Sequence, residues 1–188
     1  LDGVNKVSKS IGKRISSVEV SETSGKRRLK LVNRGSAPLY VTVTTRKIPK
    51  VGNEQNKSSK LKMNVWYEDL DGKNIDPSKI EQGTEFMAFV QLINPSTRDY
   101  KEMALNQIFP SGWEVHNSRL FGGPSAGEDV RYQDIRDDRV LSYYNLKGTT
   151  STVIKVRLHA TYKGKFYKPA VYSEAMYDHG IQAQRKGE

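Results

Sequence analysis

Gln133-Asp134-Ile135-Arg136-Asp137-Asp138-Arg139-Val140 reads as a charge-rich turn, and it opens the stretch that decides the fold, Tyr132 to Asp178. Three strand candidates follow. They are Val140-Leu141-Ser142-Tyr143-Tyr144-Asn145-Leu146, then Thr152–Tyr162, then Phe166–Asp178. All are rich in β-branched and aromatic residues, which suit a pleated, half-buried surface. Lys147-Gly148-Thr149-Thr150 and Lys163-Gly164-Lys165 supply hairpin turns between them. Strand after strand at short spacing, with turn residues between, predicts antiparallel pairing.

The same pattern runs outward to the N-terminal side. Thr84–Asn94 is nearly all apolar in its middle and predicts a central strand covered on both faces. Leu61–Glu68, Met103–Phe109 and Trp113–Asn117 give further strands. Asp71-Gly72, Pro77 to Gly83, Asn94-Pro95-Ser96-Thr97 and Pro110-Ser111-Gly112 mark turns. Leu120–Asp129 holds three glycines and Pro124 and predicts an irregular loop. Lys186-Gly187-Glu188 is expected to stop one strand short of a natural end. Trp66, Trp113, Phe86 and Phe89 are expected in the core, where truncation to Ala costs about 3–5 kcal/mol.

Further upstream the signals thin out. Lys50–Lys60 has almost no apolar content and predicts a linker or long loop. Leu39–Thr45 and Arg27–Asn33 alternate in the period-2 manner of strands, with Asn33–Pro38 as the turn between them. Ile15–Val20 is a short strand candidate, and residues 1–14 show no sustained period. Together these make a partial sheet ahead of a full one. The fold class expected is all-β: an immunoglobulin-like antiparallel β-sandwich over 61–188, preceded by a partial β segment over 1–60.

Charge supports that division. The chain of 188 residues carries a net charge of +10. Residues 1–60 hold 14 Lys/Arg against 4 Asp/Glu, and residues 61–188 hold 17 of each. A nucleic-acid surface interleaves basic and aromatic side chains. Tyr40 is the single aromatic among the first 60 residues, so a solvated face or an interface to acidic domains is preferred over nucleic acid. No run of 18 apolar residues occurs, so no membrane insertion by a helix is expected. The absence of an initiator Met or a basic-then-apolar leader predicts a piece of something larger.

The constellations of chemistry are sparse. The chain has no Cys, which excludes disulfides, thiolate metal sites and any thioester within it. His116, His159 and His179 lack metal-ligand spacing, and no Gly-x-Ser-x-Gly elbow is present. Asp69-Leu70-Asp71-Gly72-Lys73-Asn74-Ile75-Asp76 has only two calcium ligands in register and no closing Glu, so it reads as a charged hairpin tip. Asp134, Asp137 and Asp138 beside Arg136 and Arg139 read as a turn tied by Arg–carboxylate bonds rather than an acid–base pair. No catalytic, cofactor or metal site is expected.

Tyr132–Val140 and Pro169-Ala170-Val171-Tyr172-Ser173-Glu174-Ala175-Met176-Tyr177-Asp178 resemble the C-terminal end of bacterial alpha-2-macroglobulins. Tyr67–Lys73, Ile80-Glu81-Gln82-Gly83 and Phe109–Glu114 fit the same domain in the same order, and Asn33–Val41 resembles the strand pair before it. The motif residues so marked are Asp134, Arg136, Asp137, Asp138, Arg139, Pro169, Tyr177 and Asp178, in a structural role. The resemblance implies strings of β-sandwich domains with a bait segment and a thioester-bearing helical domain. Proteases that cut the bait are trapped. The terminal sandwich would be a scaffold holding the thioester domain, in an exported and often lipid-anchored parent. Its partners would be the other domains of that parent and the trapped proteases. The alternative reading is a stand-alone adhesion or ligand-binding sandwich, marked by an apolar patch or an aromatic platform on one face.

Overall fold

The computed structural model describes residues 17, 19, 31–44, 50, 52–116 and 130–188. The chain divides into two compact units, Leu1–Arg46 and Lys47–Glu188. The division falls ahead of the charge step near residue 60.

In the first unit, the Asn33–Pro38 turn forms as expected. Asn33 Nδ2 donates to Ala37 O (2.8 Å), and Gly35 N donates to Asn33 Oδ1 (3.0 Å). An Asn side chain standing in for backbone is what fixes such a turn. The flanking strands are not formed over their described residues, 31–33 and 39–44. Alternation makes a segment able to pair, but a strand needs a ladder partner, and a two-stranded piece is marginal in water. Leu39, Val41 and Val43 accordingly stay exposed. The expectations for 1–14, Ile15–Val20 and 120–129 lie outside the described residues, save Ser17 and Glu19.

The second unit is a sandwich in which the described residues form ten strands, all paired antiparallel: β1 Lys57–Ser59, β2 Lys62–Asp69, β3 Glu85–Ile93, β4 Tyr100–Ile108, β5 Trp113–Val115, β6 Val130–Ile135, β7 Arg139–Leu146, β8 Ser151–Ala160, β9 Val171–Ala175 and β10 Asp178–Arg185. One sheet has six strands in the order β1-β10-β9-β4-β7-β6, and the other four in the order β2-β3-β8-β5. The sequence signals locate most of these strands. Three differ. Lys57–Ser59, read as linker, is a strand along β10. Tyr132–Ile135, read with the charged turn, belongs to β6, where Arg131 and Asp134 are tolerated because a sheet edge is solvated. The strand expected over Phe166–Asp178 is only Val171–Ala175, and a further strand, β10, follows it. Glycine and three polar side chains (His179, Gln182, Gln184) hid β10 from the pattern.

Alternation explains the core. Phe86, Ala88, Val90 and Leu92 of β3 point into the sandwich and are buried; Met87, Phe89, Gln91 and Ile93 face the other way and are half-buried. Across the core stand Met103 and Leu105 of β4 and Tyr144 and Leu146 of β7. The expectation for the four large aromatics therefore divides. Phe86 is fully buried, and Trp113 packs against the same cluster. Trp66 and Phe89 lie opposite each other on the outer face of the four-stranded sheet, stacked at 5.1 Å and 5°. A period of two leaves no choice once Phe86 points inward.

One buried polar side chain closes an end of the sandwich. Asn94 is 1% exposed. Its Nδ2 donates to Arg98 O (2.8 Å), Lys147 O (3.1 Å) and Leu146 O (3.4 Å), and its Oδ1 accepts from Ser96 N (2.9 Å). Removing it orphans several carbonyls at once. Asn94→Ala is expected to lower stability by about 2 kcal/mol, read from urea unfolding. A loss below about 0.5 kcal/mol would show that water replaces the amide freely.

Candidate functional site

The charged turn is built as the sequence suggests, but more narrowly. Arg136 N donates to Arg139 O (2.9 Å), closing the β6–β7 hairpin over three residues. Arg136 Nε donates to Asp134 Oδ2 (2.9 Å). Arg139 grips Asp138 with Nε (3.0 Å to Oδ1) and Nη2 (2.6 Å to Oδ2). Asp138 O accepts from Phe109 N (2.9 Å), which fastens the turn to the end of β4. The Arg139 guanidinium holds the Asp138 carboxyl below the usual carboxylate range. A carboxylate so held carries no proton to donate near neutral pH, so the turn is a clasp. Asp137 is exposed.

Pro169 lies at the same end of the six-stranded sheet, and Tyr177 and Asp178 do not. Ile108 pairs with Arg139, while Met103 pairs with Ala175. Five residues of strand separate the two ends, about 17 Å. The β9–β10 turn exposes Met176 and Tyr177 (85% exposed). Asp178 Oδ1 accepts from Gly180 N (2.9 Å). Met176 N donates to Glu102 O (2.9 Å), where Glu102 sits in a β-bulge with φ of 52°. The motif residues thus fall on two turns at opposite ends of one sheet and on the loop before β9, not in one site.

Elsewhere the ionisable groups are occupied with structure. Asp69 Oδ1 accepts from Asp71 N (3.0 Å) and Lys73 N (2.8 Å), so the hairpin-tip reading fits. Among the described residues, no group of three His, Asp or Glu is placed to hold a metal. Glu85 pairs with Arg157 at 2.6 Å, and its hydrogen bond to that guanidinium lowers its pKa. Inside the sandwich, Tyr144 OH and Ser173 Oγ meet at 2.7 Å, and Ser173 Oγ donates to Ala104 O (2.9 Å). Burial raises the Tyr144 phenol well above its usual range. Alternation marks both positions as inward but carries no sign that they would meet.

Depressed carboxyls give a pH dependence. The folded-state values of Asp138 and Glu85 lie below their ordinary 3.8 and 4.5. Their contribution is complete above those ordinary values and is lost as pH falls through the folded ones. The urea midpoint is expected to drop between pH 5 and pH 3, and Asp138→Asn to flatten part of that drop. An unchanged slope in Asp138→Asn would show that solvent screens the clasp completely.

A family described as the bacterial alpha-2-macroglobulin MG10 domain matches residues 61–179. The chain belongs to that family. An alpha-2-macroglobulin of Pasteurella multocida is 29% identical over 163 residues, covering 85% of this chain and 8% of its own length. An alpha-2-macroglobulin homolog of Yersinia pestis is 39% identical over 80 residues, covering 41% of this chain and 4% of its own. Among solved structures, trypsin-activated alpha-2-macroglobulin from Escherichia coli superposes with a TM-score of 0.64 at 16% identity, over 72% of this chain and 10% of that one. Salmonella alpha-2-macroglobulin reacted with methylamine gives 0.62 at 18%, over 70% and 9%. At such identities these structures speak for the macroglobulin sandwich fold. The chain spans less than a tenth of the length of the Pasteurella alpha-2-macroglobulin.

Proposed function

We propose that this chain is a non-catalytic scaffold within a bacterial alpha-2-macroglobulin-like protease-trapping inhibitor. The observation that carries the reading is the family match over 61–179, which spans β2 to β9 of the sandwich. Residues 61–188, with β1 ahead of them, act as the terminal macroglobulin domain, and the residues before β1 as the end of a preceding macroglobulin-like or wrapping domain. The parent works outside the cytoplasm, in the periplasm or at the cell surface.

Within this reading the motif residues divide by role. Asp134, Arg136, Asp138 and Arg139 hold the β6–β7 turn, and Pro169 ends the loop before β9. The β9–β10 turn, with Tyr177 and Asp178, faces the helical thioester-type domain of the parent. Its exposed Met176 and Tyr177 support that assignment, because a turn with no outside partner has no need of two large side chains in solvent.

The test uses the full-length parent. A trapped protease keeps its activity on a small peptide and loses it on a large protein substrate. Deleting residues 61–188 is expected to abolish that split. A parent that traps equally well without them would end the scaffold reading.

A further inference from the structure

A cleft of about 350 Å³ opens where β2 of the four-stranded sheet meets β10 and the loop before β9. Three apolar residues line it, Val65, Pro169 and Val171, beside the amides Asn56 and Asn64. Its walls carry three cations, Lys168, Arg185 and Lys186, and one carboxylate, Glu188. This cleft lies apart from the β6–β7 clasp and from the exposed β9–β10 turn, and neither uses its residues.

The charges there are poorly matched. The Lys168 side chain is only 18% exposed, with its ammonium 5.3 Å from the centre of the Tyr67 ring. Its ion pair is with Glu188 at 3.4 Å, and that side chain is 59% exposed. The other carboxylate that feels Lys168 is Asp76, as its smallest influence, and Asp76 is committed to Ser78. The Arg185 guanidinium reaches across to Asn64 Oδ1 at 3.3 Å, a neutral acceptor. A guanidinium presents five donors in a fork that fits a carboxylate, so most of its capacity is unspent.

We propose that this cleft is a carboxylate-binding site. Its ligand carries an apolar stem: the stem covers Val65, Pro169 and Val171, and the carboxylate bridges Arg185 and Lys168. Glu188 is the internal stand-in, occupying Lys168 through a long, solvent-exposed contact that a better-placed carboxylate displaces. The apolar side chains of Val65, Pro169 and Val171 favour such a ligand over inorganic phosphate, which has charge but no stem. The side chain of a Glu in a peptide and a free aliphatic dicarboxylate share this chemistry.

The test follows backbone amide resonances of Lys168, Arg185 and Lys186 in the 188-residue chain during titration. The probes are glutarate, N-acetyl-Glu-Leu-amide and inorganic phosphate. Saturable shifts are expected with at least one of the two carboxylates and not with phosphate. Saturation by the dipeptide alone identifies a peptide side chain as the source; saturation by glutarate alone identifies a free dicarboxylate. Arg185→Gln is expected to weaken binding about tenfold, the loss of one charge-assisted contact. Glu188→Gln is expected to tighten it, because the side-chain competitor of Lys168 is gone, and this substitution at an exposed position leaves the core untouched. The proposal is overturned if no probe saturates, if phosphate matches the carboxylates, if Arg185→Gln binds as well as the parent, or if Glu188→Gln binds more weakly.

Discussion

Phe86→Ala is expected to remove about 4 kcal/mol of stability, while Phe89→Ala, three residues along the same strand, removes only about 1 kcal/mol. The sequence gives no reason to rank them, since both are phenylalanines in one apolar run. The structure does. Phe86 is 0% exposed and sits against Trp113, edge to face at 4.9 Å, and against Tyr67 at 6.3 Å, which itself meets Trp113 at 5.7 Å. Its removal opens a cavity that two large rings cannot close by small shifts, so the lost transfer energy and the cavity cost add. Phe89 loses only its stack on Trp66 and a half-solvated face. Trp66 and Trp113 are the two tryptophans of the chain, so intrinsic fluorescence during urea unfolding reports on this unit. Equal losses for the two variants would overturn the inward and outward assignment of β3.

Gly148→Ala is expected to cost about 3 kcal/mol, a large effect for one methyl group at a turn. The reason is contact and not backbone freedom. A Cβ on Gly148 would run into the backbone carbonyl of Thr97. That carbonyl has nowhere to move. Thr149 N donates to Ser96 O (2.7 Å), Asn94 N donates to Thr150 O (3.0 Å), and Gly148 N donates to Asp99 Oδ1 (2.9 Å). The two turns are laced together, and glycine is what lets them touch. Gly83 in another turn offers a control, because its added Cβ would meet nothing within 4 Å; there the cost comes only from its φ of 87°. If Gly148→Ala unfolds at the urea concentration of the parent, the lacing is looser than these distances imply.

Much of the architecture is legible in the residues, and the illegible parts have physical causes. Period-2 runs such as Val140–Leu146 and Thr152–Ala160 name their own strands because one face must be dry. The same rule over-reads Leu39–Thr44, where the alternation exists and no strand forms among the described residues of that unit. It under-reads β10, whose pairing with β9 supplies an order that Gly180 and the glutamines do not advertise. The clasp of Asp138 and Arg139 is visible as a charged run, because adjacent opposite charges at a tight turn have few other uses. What no run of residues could reveal is distance. The resemblance marks Arg139 and Tyr177 together, yet register places them at opposite ends of a sheet.

The pairing of β1 with β10 joins Lys57 to Gln184, well over a hundred residues apart. During synthesis at about 5–20 residues per second, the first strand waits on the order of ten seconds for its partner to leave the ribosome. Non-local pairings of this kind also set slow refolding, in milliseconds to seconds rather than microseconds. β10, made after β1 to β9, is therefore the strand that joins β1 to the rest of the six-stranded sheet, and until it arrives β9 has one side unpaired.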